Sequence, residues 1–170
     1  RIKKEWYDEL IIVDGGSTDK TVSIAKQYTD KITITDNPPI FHINKQKAID
    51  KAQGEWVLQL DADEVVDQAL VKEIKDVVSS SSKYNGFFIK RKNFFLGKWI
   101  RKGGWYPDPV IRLFRRGKGY LPCKSVHEQV VIDGEAGKLR EHLLHYSYRS
   151  MEDYWRKAKG YADLRAKELD

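Results

Sequence analysis

Two short apolar runs, each ended by acidic residues, constrain the fold more than any other feature of this sequence. Residues 10–13 read Leu-Ile-Ile-Val and precede Asp-Gly-Gly, while residues 56–60 read Trp-Val-Leu-Gln-Leu and precede Asp-Ala-Asp. Short apolar runs stopped in this way are typical of buried parallel strands. The periodicity between them favours helices, and alternating strands and helices are typical of α/β proteins. A central strand at 10–13 also implies a first strand upstream of it, which is missing from the printed sequence.

The rest of the chain continues this pattern and then departs from it. We expect helices over about 44–52 and 67–78, whereas strands and glycine turns dominate beyond residue 82. A last helix is predicted after Ser150, whose hydroxyl can cap it. The sequence therefore predicts one α/β domain, with a mostly parallel central sheet flanked by helices, a mixed β half and a C-terminal helix. Its three parts are expected at 1–82, 83–149 and 150–170.

The composition excludes several classes of protein. The chain has 170 residues, and 41% hydrophobic and 12% aromatic content is too apolar for a disordered tail. Its one cysteine, Cys123, allows neither an intrachain disulfide nor a four-thiolate zinc site. No apolar run approaches the roughly 18 residues of a membrane span. The net charge of +6 suits anionic partners, which include nucleotide phosphates, acidic lipid headgroups and nucleic acid.

The acidic pair Asp61 and Asp63 follows the second apolar run. Residues two apart on an extended segment project to the same side, so both carboxylates can face one small volume. Ligands of open α/β sheets bind at the carboxyl ends of the strands. Two carboxylates at such a place suit Mg²⁺ or Mn²⁺ held against a diphosphate. The alternative is that these acids only favour the start of the following helix.

The segment from Asp14 to Asp19 follows the first apolar run in the same way. Asp14 can accept hydrogen bonds from a base or a ribose, and free N–H groups at a helix start favour anions. The alternative is an ordinary turn in which Ser17 and Asp19 cap the helix. The Gly-Lys-Ser/Thr ending of a P-loop is absent. Taken together, the two acid-tipped strands predict a nucleotide-diphosphate site with a metal.

At this point the chain resembles the family 2 glycosyltransferases, and within them the lipopolysaccharide-core β-glucosyltransferase branch. The motifs that carry the resemblance are Asp-Gly-Gly-Ser-Thr-Asp at 14–19, Lys45, Leu-Asp-Ala-Asp-Glu at 60–64, Gly-Gly-Trp-Tyr-Pro-Asp at 103–108, Arg-Leu-Phe-Arg-Arg at 112–116, Val-His-Glu at 126–128 and Leu-His-Tyr at 144–146. The resemblance covers nearly the whole chain beyond Leu10. It implies a GT-A fold, which is Rossmann-like, and a nucleotide-binding half at 1–82 followed by an acceptor and catalytic half at 83–149.

The resemblance also implies roles for the donor-binding residues. Residues expected to bind the nucleotide sugar are Asp14, Lys45, Asp61, Arg112 and Arg115. Residues expected to hold Mg²⁺ or Mn²⁺ are Asp61, Asp63 and His145, with Asp63 the more direct ligand. Two alternatives stay open, because Lys45 can be a solvated helix lysine and a histidine beside apolar residues can be a hydrogen-bonded core residue.

Glu128 is the first candidate for the general base, and Asp108 is its rival. An inverting sugar transfer needs a carboxylate that removes the proton of the attacking hydroxyl. Glu128 can instead be a strand-edge acid paired with a lysine, and Asp108 can position the acceptor. Trp105 and Tyr106 are expected to stack on an acceptor sugar, while His127 is expected to lie at the acceptor and orient Glu128.

These residues predict an inverting transfer of a hexose from a UDP-sugar, for example UDP-glucose, to a hydroxyl of a glycan or lipid-linked acceptor such as lipopolysaccharide core. The expected place is the cytoplasm, with peripheral contact to the inner face of the membrane through the basic C-terminal helix, although packing of this helix on the domain is the alternative. No nucleic-acid partner is expected. Competing readings are an inactive glycan-binding domain and a metal-dependent nucleotidyltransferase or phosphohydrolase.

Overall fold

The structure is a computed structural model that describes residues 6–125 and 128–169, with side chains in the last helix described to residue 160 and at residue 162. Its strands are β1 (Ile12–Asp14), β2 (Ile32–Ile34), β3 (Trp56–Leu58), β4 (Glu64–Val66), β5 (Gly86–Phe95), β6 (Lys98–Trp99), β7 (Pro109–Arg115), β8 (Gly119–Tyr120), β9 (Val131–Ile132) and β10 (Ala136–Tyr148). Its helices are α1 (Thr21–Ala25), α2 (His42–Asp50), α3 (Gln68–Val78) and α4 (Met151–Leu169).

The strands form a mixed arrangement rather than a mostly parallel sheet, which corrects that part of the prediction. Strands β1 and β2 pair in parallel in a sheet of their own. The six-stranded sheet has the order β3-β7-β5-β10-β4, with β6 paired to β5. Within it β5 and β10 are parallel and the other pairs are antiparallel. The reason is that β5 and β7 are joined through β6 without the crossover helix that a parallel pair needs.

The large sheet carries apolar residues on both faces, and one helix covers each face. Leu113 belongs to the core that α3 covers through Leu70 and Ile74. The next residue, Phe114, belongs to the core that α2 covers through Ile49. Because successive residues of a strand point to opposite faces, α3 and α2 lie on opposite sides of the sheet. The α/β class and the flanking helices are therefore confirmed.

The helix starts follow local hydrogen bonds. The Asp67 carboxylate accepts a hydrogen bond from Leu70 N at 2.9 Å, so α3 begins where predicted. Ser150 Oγ accepts one from Asp153 N at 3.1 Å, which confirms the predicted cap of α4. Four strands, β4, β6, β8 and β10, were not predicted. Charged residues interrupt β10, and β4 follows the acidic motif so closely that it looks like part of a loop.

The first part of α4 packs on the sheet, which favours the packing alternative for this helix. The ring of Tyr154 lies 5.5 Å from that of Phe95 and 5.2 Å from that of Tyr148. The neighbouring Trp155 is 64% exposed. Among the described residues, no helix combines the length and the apolar character needed to cross a bilayer.

Candidate active site

A cavity of about 340 Å³ opens beside β5, β10 and the start of α4. Four of the residues predicted for function line it, namely Asp63, Trp105, Asp108 and His145. The long strand β10 supplies His145, the turn before β4 supplies Asp63, and the loop before β7 supplies the other two. The structure therefore brings together residues that are up to 82 positions apart in the sequence (145 − 63).

The orientation of His145 is fixed by Asn93. Asn93 Nδ2 donates to Trp105 O at 2.8 Å and to Asp108 Oδ2 at 2.7 Å. A backbone carbonyl oxygen can only accept a hydrogen bond, and so can a carboxylate oxygen when Asp108 is ionised. Asn93 Oδ1 therefore faces His145 Nδ1, which donates to it at 2.6 Å. The other ring nitrogen, Nε2, then lies 3.4 Å from Asp63 Oδ1. When the ring is neutral, the lone pair of Nε2 faces the carboxylate oxygen Oδ1 of Asp63. A cation bound between these two atoms would interact favourably with both.

Asp63 and His145 fit a divalent cation as two ligands. A carboxylate oxygen and an imidazole nitrogen suit Mn²⁺, and such ions commonly take their remaining ligands from phosphates and water. Burial raises the pKa of Asp63, but when His145 is protonated its hydrogen bond and charge, together with the charge of Lys157, outweigh burial and hold the pKa of Asp63 below its ordinary value. Within the described ranges, no three or more His, Cys, Asp or Glu residues are grouped so that they could hold a metal ion.

Asp61 does not join this pair, because the segment turns at residues 62 and 63 instead of running extended. Asp61 Oδ1 lies 2.5 Å from Lys45 Nζ, and Asp61 Oδ2 lies 2.7 Å from Arg112 Nη2. Burial alone raises the pKa of Asp61, but Arg112 and Lys45 lower it to about 2. A carboxylate that already pairs with two cationic side chains is a poor ligand for a metal ion. Of the two acids, Asp63 is therefore the better candidate for a metal ligand.

A row of alternating charges connects these residues to the cavity. Arg112 Nη2 also lies 2.7 Å from Glu64 Oε1, and Arg91 Nη1 lies 3.6 Å from the same oxygen. Arg91 in turn holds Asp108 Oδ2 through Nε at 2.9 Å and Nη2 at 2.8 Å. We call the residues of this series the charged row; they are Lys45, Asp61, Arg112, Glu64, Arg91 and Asp108. The sequence analysis missed Glu64 and Arg91, although charges within or beside buried strands are a usable signal.

The two candidate bases differ in what occupies their oxygens. Asp108 Oδ2 accepts one hydrogen bond from Arg91 Nε and one from Asn93 Nδ2, and Arg91 Nη2 lies 2.8 Å from the same oxygen as an ion pair. Glu128 Oε1 accepts from Lys124 N at 2.6 Å and Ser125 N at 2.8 Å. Glu128 Oε2 is buried and has no hydrogen-bond partner among the described residues. Such an unsatisfied buried oxygen is uncommon and needs an explanation, of which a catalytic role is one.

Buried His42, which the sequence analysis also missed, holds the loop before Glu128. Its Nδ1 lies 2.9 Å from Ser125 O, and burial lowers the pKa of His42. This contact ties the start of α2 to the segment that carries Glu128. His127, the predicted acceptor residue, lies outside the described residues.

Four predicted site residues that the structure describes neither line the cavity nor belong to the charged row, namely Asp14, Arg115, Tyr106 and Glu128. Asp14 accepts from Ser17 Oγ and Ser17 N, both at 2.7 Å, which lowers the pKa of Asp14. Arg115 pairs with Glu55, and its guanidinium lies 4.5 Å from the centre of a ring of Trp56. The hydroxyl of Tyr106 lies 3.0 Å from Nε2 of His142. The structure therefore brings Trp105 to the cavity but not its neighbour in the predicted acceptor pair.

The chain is similar to known glycosyltransferases. Residues 4–132 match the family described as glycosyl transferase family 2. The chain is 32% identical over 169 residues to the lipopolysaccharide core biosynthesis glycosyltransferase LpsC of Rhizobium meliloti (strain 1021), covering 93% of this chain and 61% of LpsC. It is 29% identical to an uncharacterized glycosyltransferase of Rickettsia typhi, covering 98% of this chain and 60% of that protein. The chain thus spans about three fifths of the length of these relatives.

A solved structure shows the same fold. S. aureus TarS 1-349 superposes with a TM-score of 0.56 at 17% identity, covering 87% of this chain and 53% of TarS, and a second TarS structure is a complex with UDP. This likeness confirms the predicted GT-A-like α/β fold. The family match covers well over half of the chain and confirms the resemblance found in the sequence motifs. The chain belongs to glycosyl transferase family 2.

Proposed function

We propose that this chain transfers a hexose, with inversion, from a UDP-sugar such as UDP-glucose to a hydroxyl of a glycan or lipid-linked acceptor. The observation that carries the proposal is that the Asp63–His145 pair, Asp108 and Trp105 line the same cavity. The complex of TarS with UDP supports a uridine nucleotide, and the name of LpsC supports an acceptor from lipopolysaccharide core. With an acceptor of this kind, the proposed place of the reaction is the inner face of the cytoplasmic membrane.

The donor lies with its diphosphate at the Asp63–His145 pair. These two residues would hold Mg²⁺ or Mn²⁺, which supplies positive charge to the diphosphate oxygens. The charged row begins nearby, and its member Asp61 is fixed as an anion by Lys45 and Arg112. We place the nucleoside along this end of the row, towards the turn that carries Asp14. Arg115 contacts Glu55 and Trp56 instead, so we give it no role in donor binding.

Glu128 is our proposed base. The acceptor oxygen attacks the anomeric carbon, the bond from that carbon to the diphosphate oxygen breaks, and UDP leaves with the electron pair. The proton of the acceptor hydroxyl passes to the carboxylate. Glu128 suits this step because its Oε2 has no donor among the described residues. Oδ2 of Asp108 already accepts hydrogen bonds from Arg91 Nε and Asn93 Nδ2, and these bonds hold the carboxylate in place.

Asp108 and Trp105 would bind the acceptor. Arg91 and Asn93 fix one oxygen of Asp108, so the carboxylate is held in one orientation against a sugar hydroxyl. The indole of Trp105 lies on the cavity wall and offers an apolar face of the kind on which a sugar ring stacks. An acceptor held by both groups meets the anomeric carbon in a defined geometry, which is a large part of catalysis.

Transfer of labelled hexose from a UDP-sugar to a lipopolysaccharide-core acceptor tests the proposal. We expect Glu128→Gln to bind UDP normally while its turnover falls by roughly a hundredfold or more. Asp108→Asn should raise the KM for the acceptor, and Asp76→Asn on the exposed side of α3 should change nothing. Near-normal turnover in Glu128→Gln together with loss of turnover in Asp108→Asn would make Asp108 the base. Absence of any transfer by the wild-type protein would contradict the proposed function.

A further inference from the structure

The last helix places a lysine inside the candidate active site. Lys157 of α4 lines the same cavity as Asp63 and His145, and 27% of its side chain is exposed. Its Nζ donates to Ser147 O at 2.6 Å. Two carboxylate oxygens lie further away, Asp63 Oδ2 at 3.6 Å and Asp153 Oδ2 at 3.5 Å. The ammonium group therefore lies on the other oxygen of the same carboxylate that faces His145.

The contacts of Lys157 leave it free to bind another anion. An ammonium group has three N–H donors, and normal hydrogen bonds of this kind are about 2.7–3.2 Å long. Among the described contacts only the one to Ser147 O, at 2.6 Å, is short enough to be such a hydrogen bond, because both carboxylate contacts are longer than this range. The other cationic side chain of the cavity, Arg91, is already held by Asp108 at 2.8 Å. Lys157 is thus the cavity cation that an incoming anion reaches without first breaking a close ion pair.

The position of the side chain is also fixed. Its Nζ lies 5.5 Å from the ring centre of Tyr148, and the ring of Tyr154 packs on Tyr148 from the same helix. A lysine stem held against aromatic rings loses less freedom when its charged end binds a ligand. The position of the Lys157 side chain therefore depends on how α4 packs against β10.

We infer that Lys157 binds the diphosphate of the sugar nucleotide, so that α4 forms part of the donor site. This inference rests on the proposed function. As the bond from the anomeric carbon to oxygen breaks, negative charge grows on the leaving diphosphate, and the ammonium group donates a hydrogen bond to it without giving up its proton. Positive charge placed where negative charge develops is a large contribution to catalysis. Nothing in the sequence motifs of the cavity pointed to this residue, because it lies on a helix beyond them.

The inference has a consequence for metal dependence. A divalent cation held by Asp63 and His145 would bind the same diphosphate as the ammonium group of Lys157. Each positive charge would therefore partly compensate for the loss of the other in nucleotide binding. Loss of Lys157 should therefore weaken nucleotide binding most when no metal is present. Uridine lacks the phosphates, so its binding should not depend on Lys157.

Calorimetric titration of UDP and of uridine, with EDTA and with Mn²⁺, tests this inference. In Lys157→Met, which keeps an unbranched side chain of similar length, we expect UDP affinity in EDTA to fall by roughly tenfold to a hundredfold. With Mn²⁺ the loss should be smaller, and uridine affinity should not change. Lys157→Arg should keep most of the UDP affinity. The matched control is Lys159→Met, an exposed lysine two residues along the same helix.

Several outcomes of these titrations would overturn the role of Lys157. Equal UDP affinity of the wild type and Lys157→Met in EDTA would overturn the inference and leave the proposed function intact. An equal loss for UDP and uridine would also overturn it, because that result indicates damage to the whole site. If Lys157→Met fails to fold, as thermal unfolding would reveal, Lys157→Gln provides the uncharged comparison. No UDP binding by the wild type under any condition would overturn both the inference and the proposed function.

Discussion

Asp61 and Asp63 are separated by one residue, yet their carboxylates have different partners in the structure. Asp61 is held by Lys45 and Arg112, whereas Asp63 faces His145 and Lys157 in the cavity. The sequence identified both acids as functional candidates, and their spacing predicted a shared volume. The turn between them could not be inferred from the spacing, because it depends on which cations the distant strands and helices bring to each carboxylate.

The pKa of Asp61 leads to a prediction about stability at low pH. Its pKa in the folded protein is about 2, below the ordinary value of 3.8. Because the pKa of Asp61 is lower in the folded protein, ionised Asp61 stabilises the folded state at pH values above 3.8, and this stabilisation is lost as the pH falls towards 2. We therefore expect Asp61→Asn to reduce the free energy of unfolding near neutral pH by roughly 2 kcal/mol.

Urea unfolding of both proteins at several pH values measures this effect. The difference in the free energy of unfolding between the wild type and Asp61→Asn should shrink as the pH falls from 3.8 towards 2. A difference that stays constant over this range would show that the ionised carboxylate does not stabilise the fold.

At the scale of secondary structure, the sequence predicted the βα part better than the β part. Strands β1 and β3 and helix α3 were recognisable because their apolar runs or helical periodicity are uninterrupted. Strand β10 was missed, although it supplies His145 to the cavity. Its residues alternate between the buried core and charged positions, and Leu143 is buried while Arg140 is exposed. Its pairing with β5 is a long-range contact that no local pattern predicts.

The N-terminal cap of α3 gives a prediction for a single helix. Asp67 accepts a hydrogen bond from Leu70 N, and replacement of such a cap by alanine costs about 1 kcal/mol. We expect Asp67→Ala to lower the free energy of unfolding by this amount. The matched control is Asp76→Ala near the other end of the same helix, where an acid is exposed and unfavourable to the helix dipole. Equal losses in the two variants, measured by thermal unfolding, would argue against the cap.

At the scale of the whole molecule, the site combines a part that the sequence predicted with a part that it did not. The acid-tipped strands indicated a nucleotide site at one sheet edge, and the structure brings Asp63, Asp108 and His145 to one cavity. Arg91, Asn93 and Lys157 complete this cavity from β5 and α4. These residues come from a strand and a helix that carry no recognised motif, so only the tertiary arrangement reveals them.

Hydrogen–deuterium exchange with and without UDP and Mn²⁺ tests most directly whether this cavity binds the donor. When UDP and Mn²⁺ are added, we expect slower exchange of the backbone amides at residues 61–64, 143–148 and 151–157, with no change in the middle of α3. A smaller cavity of about 270 Å³ is lined by a separate set of residues that includes Ile11, Lys31 and Lys51. Slower exchange confined to the segments around that smaller cavity would contradict the account.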